Sequence, residues 1–243
     1  MRPRGVRVLA AALLLLGCAR EPARLRAFPR RVLWAWESPQ DLRFLRHGEG
    51  VAFLAGELHL GPGGAEWRPR RNPLRVAPAT PLMAVIRVEA TGLPEAAGAE
   101  ALAARARACA ALPGVRGIQI DFDAGQSQRA WYAAALAQVR AALPAEVPLS
   151  ITALASWCWG DPWIRDLPVD EAVPMLFRMS ADEGRVRALL AQGREVAVPR
   201  AAHSWGISSD EPLPRLRPGR RVYAFHPGPW TEGAWEALRG QLP

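Results

Sequence analysis

Gly117-Ile118-Gln119-Ile120-Asp121-Phe122-Asp123-Ala124 is the stretch of this chain that decides both its fold and its chemistry. Hydrophobic and polar residues alternate along it, as in a β-strand whose successive side chains point to opposite faces. The three polar residues therefore share one face, and the three large hydrophobic residues share the other. We expect the hydrophobic face to pack under a helix and the polar face, with Gln119, to look into a cavity or a barrel interior.

Asp121 and Asp123 are neighbours on the polar face, roughly 6.6 Å apart along the strand. Two carboxylates this close do not both ionise easily, so one of them tends to keep its proton near neutral pH. A carboxyl group of this kind can act as a general acid. The same pair can equally belong to a buried ion-pair network with arginine, and the spacing alone leaves both alternatives open.

Eight short hydrophobic segments along the chain predict β-strands, at residues 32–36, 51–56, 83–89, 116–123, 148–154, 172–178, 195–198 and 222–226. Helical patterns follow at residues 95–112, 126–143, 181–192 and 229–242, and Ser180-x-x-Glu183 resembles a capping box at the start of the third. Strands that alternate with helices indicate a parallel sheet, and eight of them predict an α/β fold, a TIM-like (β/α)8 barrel.

Two segments break this alternation, because residues 57–82 and 199–220 are rich in Pro, Gly and Arg and show no helical period. We expect a hairpin extension in the first and a long loop in the second. The barrel is therefore predicted to be irregular. Residues 32–243 are predicted to form this single domain.

The N-terminus resembles the signal of a bacterial lipoprotein. Arg2, Arg4 and Arg7 precede nine apolar residues, too few to span a bilayer, and the run ends in Leu15-Leu16-Gly17-Cys18. In lipoproteins that cysteine carries the lipid, so the resemblance implies a signal peptide at residues 1–17, an anchor on Cys18 and a basic tether at 18–31. It also implies the cell envelope, at the outer membrane, facing the periplasm or the exterior. The alternative is an ordinary secretory signal with an incidental cysteine.

The net charge of +8 does not indicate a nucleic-acid partner, because the excess is confined to one end. Residues 1–31 hold eight Arg and one Glu, which leaves 23 Arg against 22 acids in the remainder. No basic stripe of the kind that follows phosphates is present in the sequence. The four histidines lack metal-ligand spacing, so we predict neither a metal nor a cofactor.

In a barrel of this class the active site lies at the C-terminal ends of the strands. There the sequence places acids, aromatic residues and arginines, and sugar rings stack on flat aromatic faces while carboxylates cleave glycosidic bonds. Asp123 is the predicted general acid and Asp121 its partner, with Glu89 or Glu37 as the second carboxylate. The predicted substrate-binding residues are Trp34, Trp36, Glu37, Arg87, Gln119, Trp157, Trp163, Phe177, Arg178 and His226.

Residues 117–123 resemble the fourth-strand motif D-G-x-D-x-D-x-E of chitinase-like glycoside hydrolases. Gly117 and Asp121 match, Gln119 replaces the first Asp, and Asp123 replaces the catalytic Glu. Met175-Leu176-Phe177-Arg178 is similar to that family's M-x-Y-D, with Phe177 in place of the Tyr that holds the N-acetyl group. The resemblance implies a glycosidase-like barrel, and these departures argue against chitinase activity itself.

Most of the chain after the signal also resembles a bacterial family described as domain of unknown function 3142. The segments that carry this resemblance are Gly117–Ala124, Leu149–Trp157 and Asp170–Met179. It implies a glycosidase-like barrel. The leading hypothesis is a membrane-anchored enzyme that hydrolyses an envelope or extracellular polysaccharide. The alternatives are a non-catalytic glycan-binding barrel and a structural envelope lipoprotein.

Overall fold

The structure of the protein is a computed structural model, and it describes residues 21–243. The predicted signal peptide and the lipid-bearing Cys18 lie outside the described residues. None of the helices within residues 21–243 has the length and apolar character required to cross a bilayer.

Eight parallel strands form a closed barrel, which confirms the predicted (β/α)8 fold. Closure is made by β1, which pairs in parallel with β3 on one side and with β11 on the other. The eleven strands are β1 (Arg31–Ala35), β2 (Gln40–Asp41), β3 (Glu49–Gly61), β4 (Gly64–Pro69), β5 (Leu74–Arg75), β6 (Leu82–Ala90), β7 (Val115–Asp121), β8 (Leu149–Leu154), β9 (Glu171–Met175), β10 (Ser204–Ser208) and β11 (Arg221–Phe225). All except β2, β4 and β5 belong to the barrel wall.

The helices are α1 (Ala96–Ala110), α2 (Arg129–Ala142), α3 (Ala155–Trp159), α4 (Glu183–Ala191) and α5 (Glu232–Arg239). The barrel is irregular, as predicted, because no α-helix of the described residues lies between β1 and β6 or between β10 and β11. β3 instead continues past the barrel and pairs with the antiparallel β4, which confirms the hairpin extension in residues 57–82. The prediction of a capping box at Ser180 is wrong, since no side chain caps the start of α4.

The alternation of β7 is confirmed. Ile118, Ile120 and Phe122 lie in the hydrophobic layer between the barrel and its helices, where the Phe122 ring packs against Tyr132 of α2. Gln119 and Asp121 are buried on the opposite face. The barrel interior holds a second cluster of buried residues, which includes Val32, Trp34, Ala52, Met83, Val85, Val173 and Tyr223.

The seventh barrel strand is not the predicted segment 195–198, which forms no strand. It is β10, inside the segment predicted as a long loop. Glycine and serine hide this strand from a hydrophobicity pattern, and the glycine is required there because the Trp34 ring lies directly beside it. A Cβ atom on Gly206 would lie 2.9 Å from that ring.

Residues 21–31 are not a free tether. Leu25 and Phe28 are buried in the same cluster as the barrel interior, and they close its N-terminal end. Glu21 accepts hydrogen bonds from Arg30 and from the fully buried Arg221. Hydrophobic residues spaced three apart within this arginine-rich segment explain why it packs against the barrel.

Candidate active site

An open cavity of about 500 Å³ lies at the C-terminal ends of the barrel strands, where barrel enzymes place their active sites. Strands β1, β6, β7, β8, β9 and β11 and the segment after β9 contribute to it. Its lining combines carboxylates, two arginines and a wall of aromatic rings. The lining residues are Trp34, Trp36, Arg87, Asp121, Asp123, Thr152, Leu154, Ala155, Ser156, Met175, Phe177, Arg178, Met179, Ser180, Ala181, Asp182 and Phe225.

Arg87 joins three carboxylates at one side of the cavity. Its Nη1 donates to Oδ2 of Asp121 at 3.0 Å and to Oδ2 of Asp123 at 3.2 Å. Its Nε donates to Oε1 of Glu89 at 2.7 Å. The register of β6 and β7 sets this arrangement, because it places Arg87 directly beside Asp121. An arginine network and an open cavity therefore occur together, although the sequence presented them as alternatives.

The two aspartates differ in environment. Asp121 is buried and also accepts a hydrogen bond of 2.6 Å from the Thr152 hydroxyl, whereas Asp123 is half-exposed at the rim. Burial raises the pKa of Asp121 above its ordinary value, although the Arg87 guanidinium and the Thr152 hydroxyl oppose that rise. The raised pKa thus belongs to the inner carboxyl group, and the role of Asp123 as general acid stays a prediction.

Four aromatic residues form the opposite wall. The Phe177 and Phe225 rings stack with their centres 5.5 Å apart, and Trp36 packs edge-on against Phe225 at 6.4 Å. Trp34 lies deeper, 6.2 Å from Phe177. A flat aromatic surface that faces carboxylates is suited to binding a sugar ring.

Trp34 forms the floor of the cavity, and a buried chain of hydrogen bonds holds its ring in place. The indole N–H of Trp34 donates to Oε1 of Gln119 at 2.7 Å, and the Gln119 amide donates to Ser150 at 3.1 Å. The Ser150 hydroxyl in turn donates to Glu171, which also accepts from Tyr223 and Arg221. Gln119 therefore supports the cavity from below without lining it.

The rim after β9 is held in an unusual backbone conformation. Arg178 and Ser180 both have φ of +50°, a region that side chains other than glycine rarely adopt. The Arg178 N–H donates to Glu211 at 3.0 Å, its guanidinium pairs with Asp210, and it lies over the Phe225 ring. Such backbone strain is typical of ligand-binding segments.

Of the predicted site residues, Trp34, Trp36, Arg87, Asp121, Asp123, Phe177 and Arg178 come together at the cavity. Trp157 and Trp163 do not. Their rings pack edge-on against each other, 5.0 Å apart, within the layer outside the barrel. Their placement as substrate-binding residues is wrong, because the segment after β8 turns into α3 and buries Trp157.

Glu37, Glu89 and His226 also lie outside the cavity lining. Burial raises the pKa of Glu37, but the hydrogen bonds that it accepts from Asn72 and from the N–H of Arg71 outweigh burial and lower the pKa below its ordinary value. His226 bonds to the Ser209 hydroxyl and packs on Trp230. Glu89 reaches the site only through Arg87, and the role of Glu89 or Glu37 as second carboxylate stays a prediction.

Sequence reasoning missed Thr152, Asp182 and Phe225 at the site. The alternation of Ser150 and Thr152 in β8 and of Tyr223 and Phe225 in β11 carried that information, since these residues point into the barrel. Asp182 had no such signal, because it lies in a short 3-10 helix, Ser180–Asp182, just before α4 and not on a barrel strand.

The sequence model of a family described as domain of unknown function (DUF3142) matches residues 78–172, which confirms that resemblance over these residues. No curated protein matches the sequence. The crystal structure of the Bacillus cereus spore cortex-lytic enzyme SleL is similar, with a TM-score of 0.48 and 16% sequence identity. The match covers 87% of this chain and 58% of that chain, so this chain spans less than two thirds of SleL.

Proposed function

We propose that the protein hydrolyses glycosidic bonds in a polysaccharide of the cell envelope or its surroundings. The observation that carries this proposal is the cavity at the strand ends, in which a carboxylate pair faces a wall of aromatic rings. Hydrolysis of this bond needs a carboxyl group that donates a proton and a carboxylate that supports the attack. The aromatic wall would bind the sugar face.

In this proposal Asp123 delivers the proton to the leaving oxygen, because it is the more exposed member of the pair. Asp121, held by Arg87 and Thr152, stabilises the positive charge that develops on the sugar ring. Among the described residues, Asp182 is the third aspartate of the lining, and we assign it the activation of water.

The test measures release of reducing sugar from purified envelope polysaccharides. Asp123→Asn is expected to abolish a release that the wild type shows, and Asp182→Asn is expected to reduce it at least a hundredfold. Asp161→Asn is the matched control, because Asp161 is an aspartate paired with Arg129 away from the cavity. Unchanged turnover in Asp123→Asn would remove Asp123 from the role of general acid.

We also propose that a lipid on Cys18 anchors the barrel in the cell envelope, at the outer membrane and facing the periplasm or the exterior. The charged, apolar and Leu-Leu-Gly-Cys segments of residues 1–18 support this. Cys18→Ser is expected to abolish incorporation of labelled fatty acid and to move the protein from the membrane fraction to the soluble fraction. Labelling of the variant at wild-type level would contradict the anchor.

A second candidate is a barrel that binds glycans without cleaving them. The observation in its favour is that Arg87 pairs with Asp121, Asp123 and Glu89 together, which engages all three carboxylates in salt bridges. This candidate predicts oligosaccharide binding that is lost in Trp36→Ala, with no product release by the wild type at any pH.

A further inference from the structure

The N-terminal end of the barrel, opposite the cavity, is covered by arginines. We define the basic face as Arg24, Arg26, Arg30, Arg31, Arg46 and Arg217. Arg24 donates to the carbonyl of Ala145 just before β8, and Arg30 donates to the carbonyl of Gly219 just before β11. A groove of about 350 Å³ runs between the starts of β1, β3 and β11 and is lined by Arg30, Arg31, Arg46, His47, Arg220 and Arg239.

In two ion pairs of the basic face the arginine is much more exposed than its carboxylate. The side chain of Arg30 is 54% exposed and that of its partner Glu21 only 13%. Arg24 is 41% exposed and its partner Asp170 only 9%. Glu49 and Glu171, at the starts of β3 and β9, are buried as well. These four carboxylates thus lie beneath the arginines of this end.

Three exposed acids also lie at this end, and they do not reverse its charge. Glu195 pairs with both Arg217 and Arg220. Glu236 pairs with both Arg46 and Arg239. Glu146 lies in the connection that leads to β8. Glu195 is therefore outnumbered by arginines, whereas Arg46 and Arg239 balance Glu236 and the buried Glu49, with which Arg239 also pairs.

At the cavity end the arrangement is mixed, because Arg178 is 51% exposed and its partner Asp210 40%, whereas three other pairs have the acid as the more exposed partner. There Arg87 is the more buried partner, at 25% exposure, and Glu89 is 48% exposed. Arg129 and Arg187 are likewise less exposed than their partners Asp161 and Glu183. The described residues 21–243 hold 27 Arg against 23 acids, and four of these arginines, Arg24, Arg26, Arg30 and Arg31, lie at the N-terminal end of the barrel.

We propose that the basic face lies against anionic phospholipid headgroups, so that the cavity opens away from the membrane. Arginines near a negatively charged bilayer are attracted with about 1 kcal/mol each, a factor of roughly five in affinity. The chain also enters the barrel here, because Glu21 binds Arg30 and Arg221 at this end. Only the link to the anchor rests on the proposed lipid at Cys18; the surface contact does not.

The experiment measures flotation with lipid vesicles, using the full chain with Cys18→Ser so that no lipid is attached. Vesicles of phosphatidylglycerol and phosphatidylcholine are compared with vesicles of phosphatidylcholine alone. Arg26→Gln, Arg30→Gln and Arg46→Gln together are expected to weaken binding to the anionic vesicles at least tenfold. The control replaces three exposed arginines of the other end, Arg68, Arg71 and Arg185, by glutamine. It is expected to change binding to the anionic vesicles less than twofold.

A second measurement reports orientation in the same Cys18→Ser chain. Cys109 and Cys158 are buried, so a cysteine introduced at the exposed His47 or Gly63 is the reactive one. A fluorophore at residue 47 should be quenched by spin-labelled lipid, and one at residue 63, on the hairpin at the cavity end, should not.

Each of three results would overturn the proposal: equal losses in the two triple variants, equal quenching at residues 47 and 63, or equal binding to both kinds of vesicle. Tight binding of duplex DNA that depends on the same three arginines, without vesicle binding, would assign the face to nucleic acid instead. Because the tested chain carries no covalently attached lipid and no substrate is present, these results are independent of the anchor and of the glycosidase.

Discussion

Arg87 Nη1 lies 3.0 Å from Asp121 Oδ2, across two neighbouring parallel strands whose register pairs these two residues. Both side chains point into the barrel at the level where the cavity begins. The contact gives a buried carboxylate its countercharge and leaves the rim carboxylate Asp123 beside the same nitrogen. The electrostatics of the candidate site therefore depend on strand register, and they can be tested by titration.

Asp121 is expected to make the fold less stable as pH rises. Burial raises its pKa above the ordinary value of 3.8, so between 3.8 and the raised value the folded state binds more protons than the unfolded state. The free energy of unfolding attributable to this group must therefore fall as pH increases through that window. Asp121→Asn removes this titratable group. The free energy of unfolding of the variant minus that of the wild type should therefore increase from pH 4 to pH 7.

Urea unfolding of both proteins at four pH values from 4 to 7 measures this difference. Comparing the two cancels carboxylates whose pKa is lowered, such as Asp210, which act in the opposite direction. A difference that stays constant with pH would mean that Asp121 titrates normally in the folded protein.

The alternating strand Val115–Asp121 could be predicted from sequence because it is buried on both faces by different partners. Its hydrophobic side faces helices and its polar side faces the cavity, so periodicity alone separates the two. The pair of aspartates and their contact with arginine follow from this strand and from the parallel register of β6.

Trp157 and Trp163 could not be placed in the same way. They follow a barrel strand directly, as cavity residues do, but the chain turns at once into the short α3 and carries both rings to the outer layer. The direction of that turn depends on packing against Tyr132 and Arg129, which are remote in sequence. β10 escaped prediction because it contains glycine and serine in place of large hydrophobic residues, and Gly206 has no side chain because the Trp34 ring lies against it.

Gln119→Leu is expected to lower the free energy of unfolding by about 2 kcal/mol. It leaves the buried indole N–H of Trp34 without its acceptor, and an unpaired buried donor costs about 1–3 kcal/mol. The control is the same substitution in a Trp34→Phe background, where no N–H remains and the cost should be smaller. Equal costs in both backgrounds, measured by denaturant unfolding, would show that the hydrogen bond contributes nothing.

Glu171→Gln is expected to cost about 3 kcal/mol, because it removes the fully buried carboxylate beside the Arg221 guanidinium and leaves only Glu21 as its ion-pair partner. Glu195→Gln provides the matched control, since Glu195 is half-exposed, and a change below about 1 kcal/mol is expected there. Midpoints in urea with unchanged m-values give both numbers. A similar small change in the two variants would mean that water reaches Glu171.

Gly206→Ala tests whether the Trp34 ring is held by the wall opposite it. The new Cβ would lie 2.9 Å from the ring and 3.1 Å from the carbonyl of Pro174, so the ring must move, at a cost of about 1–3 kcal/mol. Gly233→Ala is the control, because Gly233 lies in α5 with nothing within 4 Å of the added atom, and it should stabilise the protein by about 0.4–1 kcal/mol. Since Trp34 forms the cavity floor, Gly206→Ala should also weaken oligosaccharide binding at least tenfold, measured by calorimetry. Full affinity together with the expected loss of stability would show that the floor is not part of the binding surface.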